Sequence, residues 1–210
     1  MILLGLLLAV LSGRSMSPYL RELSRLADEA ALYEETAGSD PAEEKRADAM
    51  YAEAERARLL RIVDGDTIWV RVDGEKERKK VRFLEIDTPE SVHSDAKKNT
   101  KYGERASGHL KELLDGVETI WLTRDRSDTD QYGRLLRMVW IKPPSDPFSE
   151  TELREDCLNA RLILDGYALP VTYDDDGYQA VFEDFLKEAK QEKRGLWADA
   201  GWRTFVRENS

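Results

Sequence analysis

Three short segments of the chain place charged side chains beside predicted turns. In the first, Asp66 follows an Asp-Gly pair between two apolar runs, and Asp-Gly in that setting is a hairpin-turn signal. In the second, a predicted strand ends at Asp87, because Pro89 cannot continue a strand ladder. In the third, a glycine that permits a tight turn immediately precedes Arg134. Taken one at a time, each segment is typical of a turn with a solvated charge.

The first two segments together contain the oxygen ligands that a hard divalent cation requires. Asp66 and Asp87 supply carboxylates, and Thr88 supplies a backbone carbonyl next to Asp87. The chain has two histidines and one cysteine, which argues against a zinc site. The sequence therefore predicts a metal site at Asp66, Asp87 and Thr88 that would suit calcium or magnesium.

The remaining charged side chains complete the requirements of phosphodiester hydrolysis. Glu90 is a carboxylate beside the predicted ligands and can take a proton from a water molecule. Arg82 and Arg134 carry planar guanidinium groups that keep their charge and bind phosphate through paired N–H donors. Such donors stabilise the charge that builds up on phosphate during the reaction. We therefore predict that Arg82, Glu90 and Arg134 are catalytic residues.

The order and spacing of these motifs resemble the staphylococcal nuclease (thermonuclease) family. The resemblance covers roughly residues 60–197, and the ordered combination of short motifs is what makes it specific. The motifs are Asp64-Gly65-Asp66-Thr67, Arg82 followed by Asp87-Thr88-Pro89-Glu90, Lys101-Tyr102-Gly103, Tyr132-Gly133-Arg134, Leu158-Asn159-Ala160, Asp165-Gly166-Tyr167-Ala168 and Gly195-Leu196-Trp197.

This resemblance implies calcium-dependent cleavage of single-stranded or flexible DNA and RNA at the 5′ side of the phosphate. It also implies that Asp64 lies near the metal and that Tyr132 lies near the phosphate and sugar of the nucleotide. By this resemblance, the carboxylates of Asp66 and Asp87 and the carbonyl of Thr88 would ligate calcium. Glu90 would act on the attacking water, and Arg82 and Arg134 would bind the phosphate.

The chain departs from the family pattern in four places. The predicted turn between residues 72 and 81 is longer and carries a basic run at 76–80, which would either contact the substrate backbone or be solvated. Residues 142–157 are an insertion, which we expect to be an ordered surface loop. Glu85 occupies a strand position that is usually apolar. Only Tyr173 approximates the tyrosines that follow the family's Gly-x-Ala segment.

A small barrel must position these residues. Alternating apolar residues predict a strand pair within 60–72 and further strands at 79–87, 117–123 and 134–141. Helical spacing predicts helices at 103–115, 157–166 and 177–194. The elements favour an α+β, mainly β fold, in which a five-stranded OB-fold barrel with three helices spans residues 59–199 and is followed by a C-terminal tail at 200–210.

The N-terminal region has a different composition. The apolar run at residues 1–12 is short for a membrane span and resembles the core of a secretory signal peptide. Residues 1–15 are therefore predicted to be a signal peptide or a short membrane anchor of an exported protein, whereas a true start at Met16 would leave the protein cytoplasmic. Residues 16–58 are predicted to form a helical extension, whose second helix runs from about Ala42 to Leu59.

The chain is acidic, which is unusual for a protein that binds nucleic acid. Its formal net charge is −10, and residues 59–210 alone carry 31 acidic and 25 basic residues. Phosphate contacts usually give a binding domain a basic surface. We therefore expect a bound cation and a few placed arginines to supply the attraction, so that binding as well as cleavage depends on metal.

The cysteine and histidines have simpler interpretations. Cys157 is the single cysteine, so an internal disulfide is excluded, and we expect it to be a small buried hydrophobic residue. His109 falls in a predicted helix and is expected to be structural, whereas His93 lies in a polar loop and is left out of the site.

Two other functions stay open on sequence alone. Nuclease-like barrels also occur as non-catalytic modules that bind nucleic acid or protein, but this chain retains the full set of charged site residues, which favours catalysis. The helices of 18–58 could instead be the main interaction element. No obligate protein partner is evident, a monomer is expected, and membrane association would occur through residues 1–15.

Overall fold

Alternation of inward and outward side chains along five segments produces a closed barrel. The computed structural model describes residues 54–90, 100–124, 127–171 and 177–209. Several features discussed above lie outside the described residues, namely the predicted leader at 1–15, most of the predicted helical extension, His93 and Tyr173. On β2, defined below, Ile68 and Val70 are buried, whereas Trp69 and Arg71 face outward. The period of two thus separates a core face from an outer face.

The described residues contain seven strands, which are β1 (Glu55–Asp64), β2 (Thr67–Val72), β3 (Lys79–Phe83), β4 (Ile86–Asp87), β5 (Thr119–Thr123), β6 (Leu135–Trp140) and β7 (Leu169–Pro170). Five of these close into a barrel in the order β1-β2-β3-β6-β5. The β3–β6 pair is parallel, and the other barrel pairs are antiparallel. The predicted five-stranded barrel is therefore confirmed.

The helices of the described residues are α1 (Lys101–Leu113), α2 (Glu150–Asp156), α3 (Leu158–Leu164), α4 (Gln179–Glu192), a short 3-10 helix (Gly195–Ala198) and α5 (Ala200–Asn209). The three predicted helices are confirmed as α1, α3 and α4. The sequence patterns did not predict α2 or α5. No helix in this part of the chain combines the length and the apolar composition needed to cross a bilayer.

The predicted surface loop at 142–157 is wrong in its second half, where α2 forms. The Ser149 hydroxyl accepts a hydrogen bond from the Glu152 backbone N–H and caps the helix, while Leu153 is fully buried. Cys157 follows as a buried free cysteine, and burial raises the pKa of its thiol to about 12. Its expected role as a small hydrophobic residue is confirmed.

The predicted tail at 200–210 is wrong for residues 200–209, which form α5. Trp202 is buried and packs against the rings of Tyr102 and Trp197, with centroid separations of 5.1 and 6.0 Å. This aromatic cluster ties α5 to the start of α1 and to the 3-10 helix. The tertiary contact stabilises a helix that local sequence does not indicate.

The predicted helix from Ala42 to Leu59 is wrong at its C-terminal end, because β1 begins at Glu55. Ala57 pairs with Val72 of β2 on one side and with Ile120 of β5 on the other, and it is fully buried. The segment is rich in helix-forming residues, but its pairing with two strands closes the barrel. Tertiary pairing therefore outweighs the local propensity.

The predicted strand at 79–87 is interrupted by a turn after Phe83. Glu85 adopts a left-handed conformation with φ of 59°, and it is buried. Its carbonyl accepts a hydrogen bond of 2.9 Å from the Val171 backbone N–H. The unusual residue type at position 85 therefore belongs to a turn between β3 and β4, and it does not form a polar face on a continuous strand.

His109 has the structural role expected of it. Its Nε2 lies 2.8 Å from an oxygen of Asp165 at the end of α3. Its ring stacks on Tyr167 at a centroid separation of 4.2 Å. These contacts join α1 to the segment that follows α3.

Asn159 fixes the turn between β3 and β4 from the opposite side. Its side-chain oxygen accepts a hydrogen bond from Val139 N–H at 2.9 Å, and its amide donates to the carbonyls of Leu84 at 2.8 Å and Arg137 at 3.3 Å. The side chain is fully buried. Asn159 therefore clamps β6 to the turn that leads into Asp87.

We expect Asn159→Ala to lower the free energy of unfolding by about 3 kcal/mol, because each buried polar group left unpaired costs roughly 1–3 kcal/mol. Urea denaturation would measure the change. Gln131→Ala, at an exposed turn position, is the control and should change stability by about 0.5 kcal/mol or less. Equal stability of the two variants would contradict the clamp.

Candidate active site

Arg82 links the two carboxylates that the sequence predicts to bind metal. The turn between β1 and β2 carries Asp66, and pairing of Thr67 with Arg82 places β3 beside that turn. The guanidinium Nη1 forms an ion pair with Asp66, and Nη2 donates to Asp87 at 2.6 Å. The Arg82 side chain is only 14% exposed. Three predicted site residues therefore meet at one guanidinium.

Asp66 is held in place by a dense set of hydrogen bonds. One carboxylate oxygen accepts from the Thr88 backbone N–H at 3.0 Å and from the Thr88 hydroxyl at 2.8 Å. The other accepts from the Thr67 hydroxyl at 2.9 Å. A Cβ at Gly65 would lie 2.7 Å from the Thr88 hydroxyl, so the close approach of the two segments requires glycine there. The Thr88 backbone therefore lies against Asp66.

The charges at this cluster influence each other's ionisation. Burial lowers the pKa of Arg82, but Asp66 and Asp87 outweigh burial and raise it, so the guanidinium stays charged. Partial burial and the neighbouring Asp66 raise the pKa of Asp87 against the opposing effect of Arg82. The carboxylates thus repel each other and would both be stabilised by additional positive charge.

The donor set fits a hard divalent cation. Asp66 and Asp87 lie on the same guanidinium, and the backbone of Thr88 is adjacent to Asp66, so oxygen ligands converge. No group of three or more His, Cys, Asp or Glu side chains suited to a metal occurs among the described residues. A cation here would therefore need backbone carbonyl or water ligands in addition to the two carboxylates.

Glu90 is positioned through its backbone by the start of α1. The Thr100 N–H donates to the Glu90 carbonyl at 2.9 Å, and the Thr100 hydroxyl caps α1 by accepting from Gly103 N–H at 3.0 Å. A Cβ at Gly103 would lie 2.2 Å from the Glu90 carbonyl oxygen. The side chain of Glu90 is exposed, two residues beyond Thr88. Gly103, the glycine of the Lys-Tyr-Gly motif, therefore leaves the space that the backbone of Glu90 occupies.

Arg134 lies beside the cluster and makes no contact with it in the described structure. Its Nε donates to Asp130 at 2.6 Å, and its guanidinium lies 5.5 Å from the centre of the Tyr132 ring, which is 75% exposed as a residue. Arg82 pairs with Leu136 on the parallel strand β6, and Arg134 lies two residues before Leu136, or roughly 7 Å away, immediately before β6 begins. Arg134 thus flanks the cluster on the same outer face.

Sequence reasoning assigned no positioning role to four residues that support the site, which are Thr100, Gly103, Asp130 and Asn159, although Gly103 and Asn159 lie within the family motifs. Each acts by holding another residue in place, so its type alone carries no catalytic signal. The Asp-x-x-Gly-Arg spacing before Arg134 is the one local signal available, because Asp130 also accepts from the backbone N–H groups of Tyr132 and Arg134 at 2.9 Å. Lys101 pairs with Asp199 at 3.4 Å and so belongs to the contact with α5.

Comparison with known proteins identifies relatives across most of the chain. A family model described as staphylococcal nuclease homologue matches residues 80–199. The thermonuclease of Staphylococcus intermedius is 34% identical over 143 residues, covering 66% of this chain and 74% of that protein. The thermonuclease of Staphylococcus hyicus is 30% identical over 158 residues, with coverages of 74% and 83%. The micrococcal nuclease of Shigella flexneri is 33% identical over 144 residues, with coverages of 69% and 74%.

Two glycines of α1 offer a matched test of how Glu90 is held. We expect Gly103→Ala to destabilise the protein by roughly 1–3 kcal/mol, because the new methyl group would overlap the Glu90 carbonyl. Gly108→Ala, whose Cβ would meet open space in the same helix, should stabilise by about 0.5–1 kcal/mol. Urea denaturation measures both. If the two substitutions stabilise equally, the close packing of Glu90 on α1 is wrong.

Proposed function

Because the chain belongs to the staphylococcal nuclease family, we propose that it is a metal-dependent nuclease that hydrolyses phosphodiester bonds of DNA, RNA or both. The observation that carries the proposal is the convergence of Asp66 and Asp87 on the buried Arg82 guanidinium. A cluster of two carboxylates and one cation is suited to hold a divalent ion and a phosphate side by side. The names of the relatives, thermonuclease and micrococcal nuclease, support the same class of reaction.

We propose calcium as the ion, with the carboxylates of Asp66 and Asp87 and the carbonyl of Thr88 as its protein ligands. The hydrogen bonds from Thr88 to Asp66 support this assignment, because they fix the relative position of two of the three ligands. When bound, the ion would supply positive charge that neutralises the carboxylates and polarises a phosphate oxygen. Asp64, whose carboxylate accepts from Gly65 N–H at 2.8 Å, would support the turn that carries Asp66.

The residues of the chain would then act on the phosphate and on a water molecule. Glu90 takes a proton from the water, whose oxygen forms the new bond to phosphorus. The bond between phosphorus and the 5′ oxygen breaks, and that oxygen takes a proton from solvent as it leaves, while Glu90 later returns its proton to solvent. Arg82 and Arg134 donate hydrogen bonds to phosphate oxygens and stabilise the charge that develops on them. Asp130 orients Arg134 throughout, as a positioning residue.

Cleavage of a single-stranded DNA oligonucleotide by the full chain tests the proposal. Calcium should raise the cleavage rate and a chelator should abolish it, and Glu90→Gln should lower kcat about 100-fold or more, because a general base contributes roughly 10²–10⁴-fold. Glu183→Gln, at an exposed position of α4, is the matched control and should cleave normally. Calcium-independent cleavage would refute the metal assignment, and full activity of Glu90→Gln would show that another group is the base. Absence of cleavage by the unsubstituted protein would favour a non-catalytic binding module.

Asp130→Asn tests the placement of Arg134. Partial burial opposes ionisation of Asp130, but the N–H groups of Arg134 and Tyr132 outweigh it and hold the pKa of this carboxyl below its usual value. The variant should raise KM about tenfold or more, since a displaced phosphate ligand is costly. Asp184→Asn, in an exposed pair with Lys187, should leave KM unchanged.

The same substitution has a pH signature. A lowered pKa means that ionised Asp130 stabilises the folded state above the ordinary aspartate range, and that this stability is lost as the pH falls through the folded-state pKa. The stability difference between the unsubstituted protein and Asp130→Asn should therefore be present at neutral pH and shrink in acid. A difference that is constant with pH would contradict the ion pair.

A further inference from the structure

A second group of basic and aromatic side chains lies on the outer face of β1, β2 and β3, next to Arg82. Lys80 lies two residues before Arg82 on β3. It pairs with Trp69 of β2, and Trp69 pairs on its other side with Arg61 of β1. Side chains two residues apart on a strand share a face. The row formed by Arg61, Trp69 and Lys80 therefore adjoins the row that contains Arg82.

The next row along the same face carries two arginines opposite each other. Arg58 of β1 pairs with Arg71 of β2, and both side chains are exposed. Like charges in directly opposed positions destabilise a sheet. The arrangement is notable in a chain of net charge −10, where acidic residues outnumber basic ones. A polyanion bound on this face would offset the repulsion.

Trp69 is the aromatic centre of this face. The Arg78 guanidinium lies 4.8 Å and the Lys80 ammonium 5.4 Å from the centre of its ring. Among the described residues, neither of these cations, nor Arg61, forms an ion pair with a carboxylate. Their positive charge therefore remains available to a ligand, whereas the charge of Lys79 is shared with Glu75 at 3.4 Å.

Two adjoining clefts meet at Trp69 and Arg78. One, of about 480 Å³, extends past Lys80 to Tyr132 and Arg134 at the edge of the active site. The other, of about 370 Å³, extends to Leu60 and Arg61. Because both are lined by Trp69 and Arg78, they form one groove that begins at the proposed phosphate ligand Arg134 and leads away across the sheet.

We propose that this groove binds the single strand of nucleic acid that continues from the scissile phosphate. We call the basic and aromatic side chains of this face the basic track. It consists of four residues that line the groove, Arg61, Trp69, Arg78 and Lys80, and of the adjoining pair Arg58 and Arg71. Trp69 stacks on a base, and the cations contact the phosphates on either side of it, which is how proteins bind single strands without reading sequence. The proposal rests on the proposed nuclease function and adds to it a preference for long single strands over short substrates.

A purely structural role for these residues makes a different prediction. If Trp69 only anchors the hairpin through its contacts with Arg78 and Lys80, its loss changes stability and affects all substrates equally. If it stacks on a base, its loss affects only substrates long enough to reach it. Substrate length therefore separates the two roles.

The first experiment compares Trp69→Leu with the unsubstituted full chain on two substrates in calcium. One is a 20-nucleotide thymidine strand, and the other is a chromogenic nitrophenyl phosphodiester of a single nucleoside. We expect the ratio of kcat/KM for the long strand to that for the short substrate to fall about tenfold, through KM, since one stacked base contributes roughly 1–3 kcal/mol. Phe148→Leu, which removes an exposed aromatic side chain stacked on Tyr178, is the matched control and should keep the original ratio. An unchanged ratio in Trp69→Leu would overturn the proposal.

The second experiment measures binding without cleavage, in a Glu90→Gln background, by fluorescence anisotropy of the labelled 20-nucleotide strand. Trp69→Leu should weaken binding about tenfold, and it should have no such effect on an abasic strand of equal charge. Arg71→Gln should reduce the slope of log K against log salt by about 0.7 while leaving the protein at least as stable, because it also removes a like-charge pair. A steep loss of stability in Arg71→Gln with an unchanged salt slope would show a structural role only.

These measurements also separate failure of the basic track from failure of the nuclease function. If the unsubstituted protein cleaves neither substrate, the nuclease proposal fails, and the binding experiment still tests the basic track. A basic face with a tryptophan could alternatively contact an anionic membrane. Trp69-dependent sedimentation with phosphatidylserine vesicles, together with Trp69-independent binding of the 20-nucleotide strand, would overturn the assignment to nucleic acid.

Discussion

The site depends on one guanidinium shared between two carboxylates. Arg82 joins Asp66 in the β1–β2 turn to Asp87 at the end of β4, so a turn and a strand end are held at fixed positions. The pair of acids would repel each other without the arginine, and the arginine could not be buried without them. This mutual dependence explains why the elements around Arg82 approach so closely.

Close backbone approaches supply the rest of the positioning. Gly65 allows the first turn to touch Thr88, and Gly103 allows the segment that carries Glu90 to lie on the start of α1. Asn159 supports the intervening β3–β4 turn from the core with three hydrogen bonds. The candidate catalytic residues are therefore attached to rigid elements at several points, although they lie on turns and strand ends. Such support keeps the geometry of a polar site constant.

The electrostatics of the protein are organised locally. The whole chain is acidic, yet basic side chains gather on the outer face of β1, β2 and β3 beside Arg82. A polyanion would thus meet positive charge on this face, although the chain as a whole is acidic. This contrast favours one direction of approach and discourages non-specific binding elsewhere.

The sequence was sufficient to predict the barrel and three of the helices, and it singled out Asp66, Arg82 and Asp87, which the structure brings together. Strand alternation and helical spacing are local properties, and the ordered motifs around Asp66, Asp87 and Arg134 are visible in a single chain. Predictions failed where distant contacts outweigh local preference. Residues 55–59 form a strand because two partner strands pair with them, and 200–209 form a helix because Trp202 packs against Tyr102 and Trp197. The tertiary structure alone decided three further features. They are the convergence of Asp66 and Asp87 on one guanidinium, the supporting contacts at Gly103 and Asn159, and the pairing of Trp69 with Lys80 and Arg61. The reason is physical: residue type limits what a side chain can bind, but strand register and backbone contact determine which side chains meet.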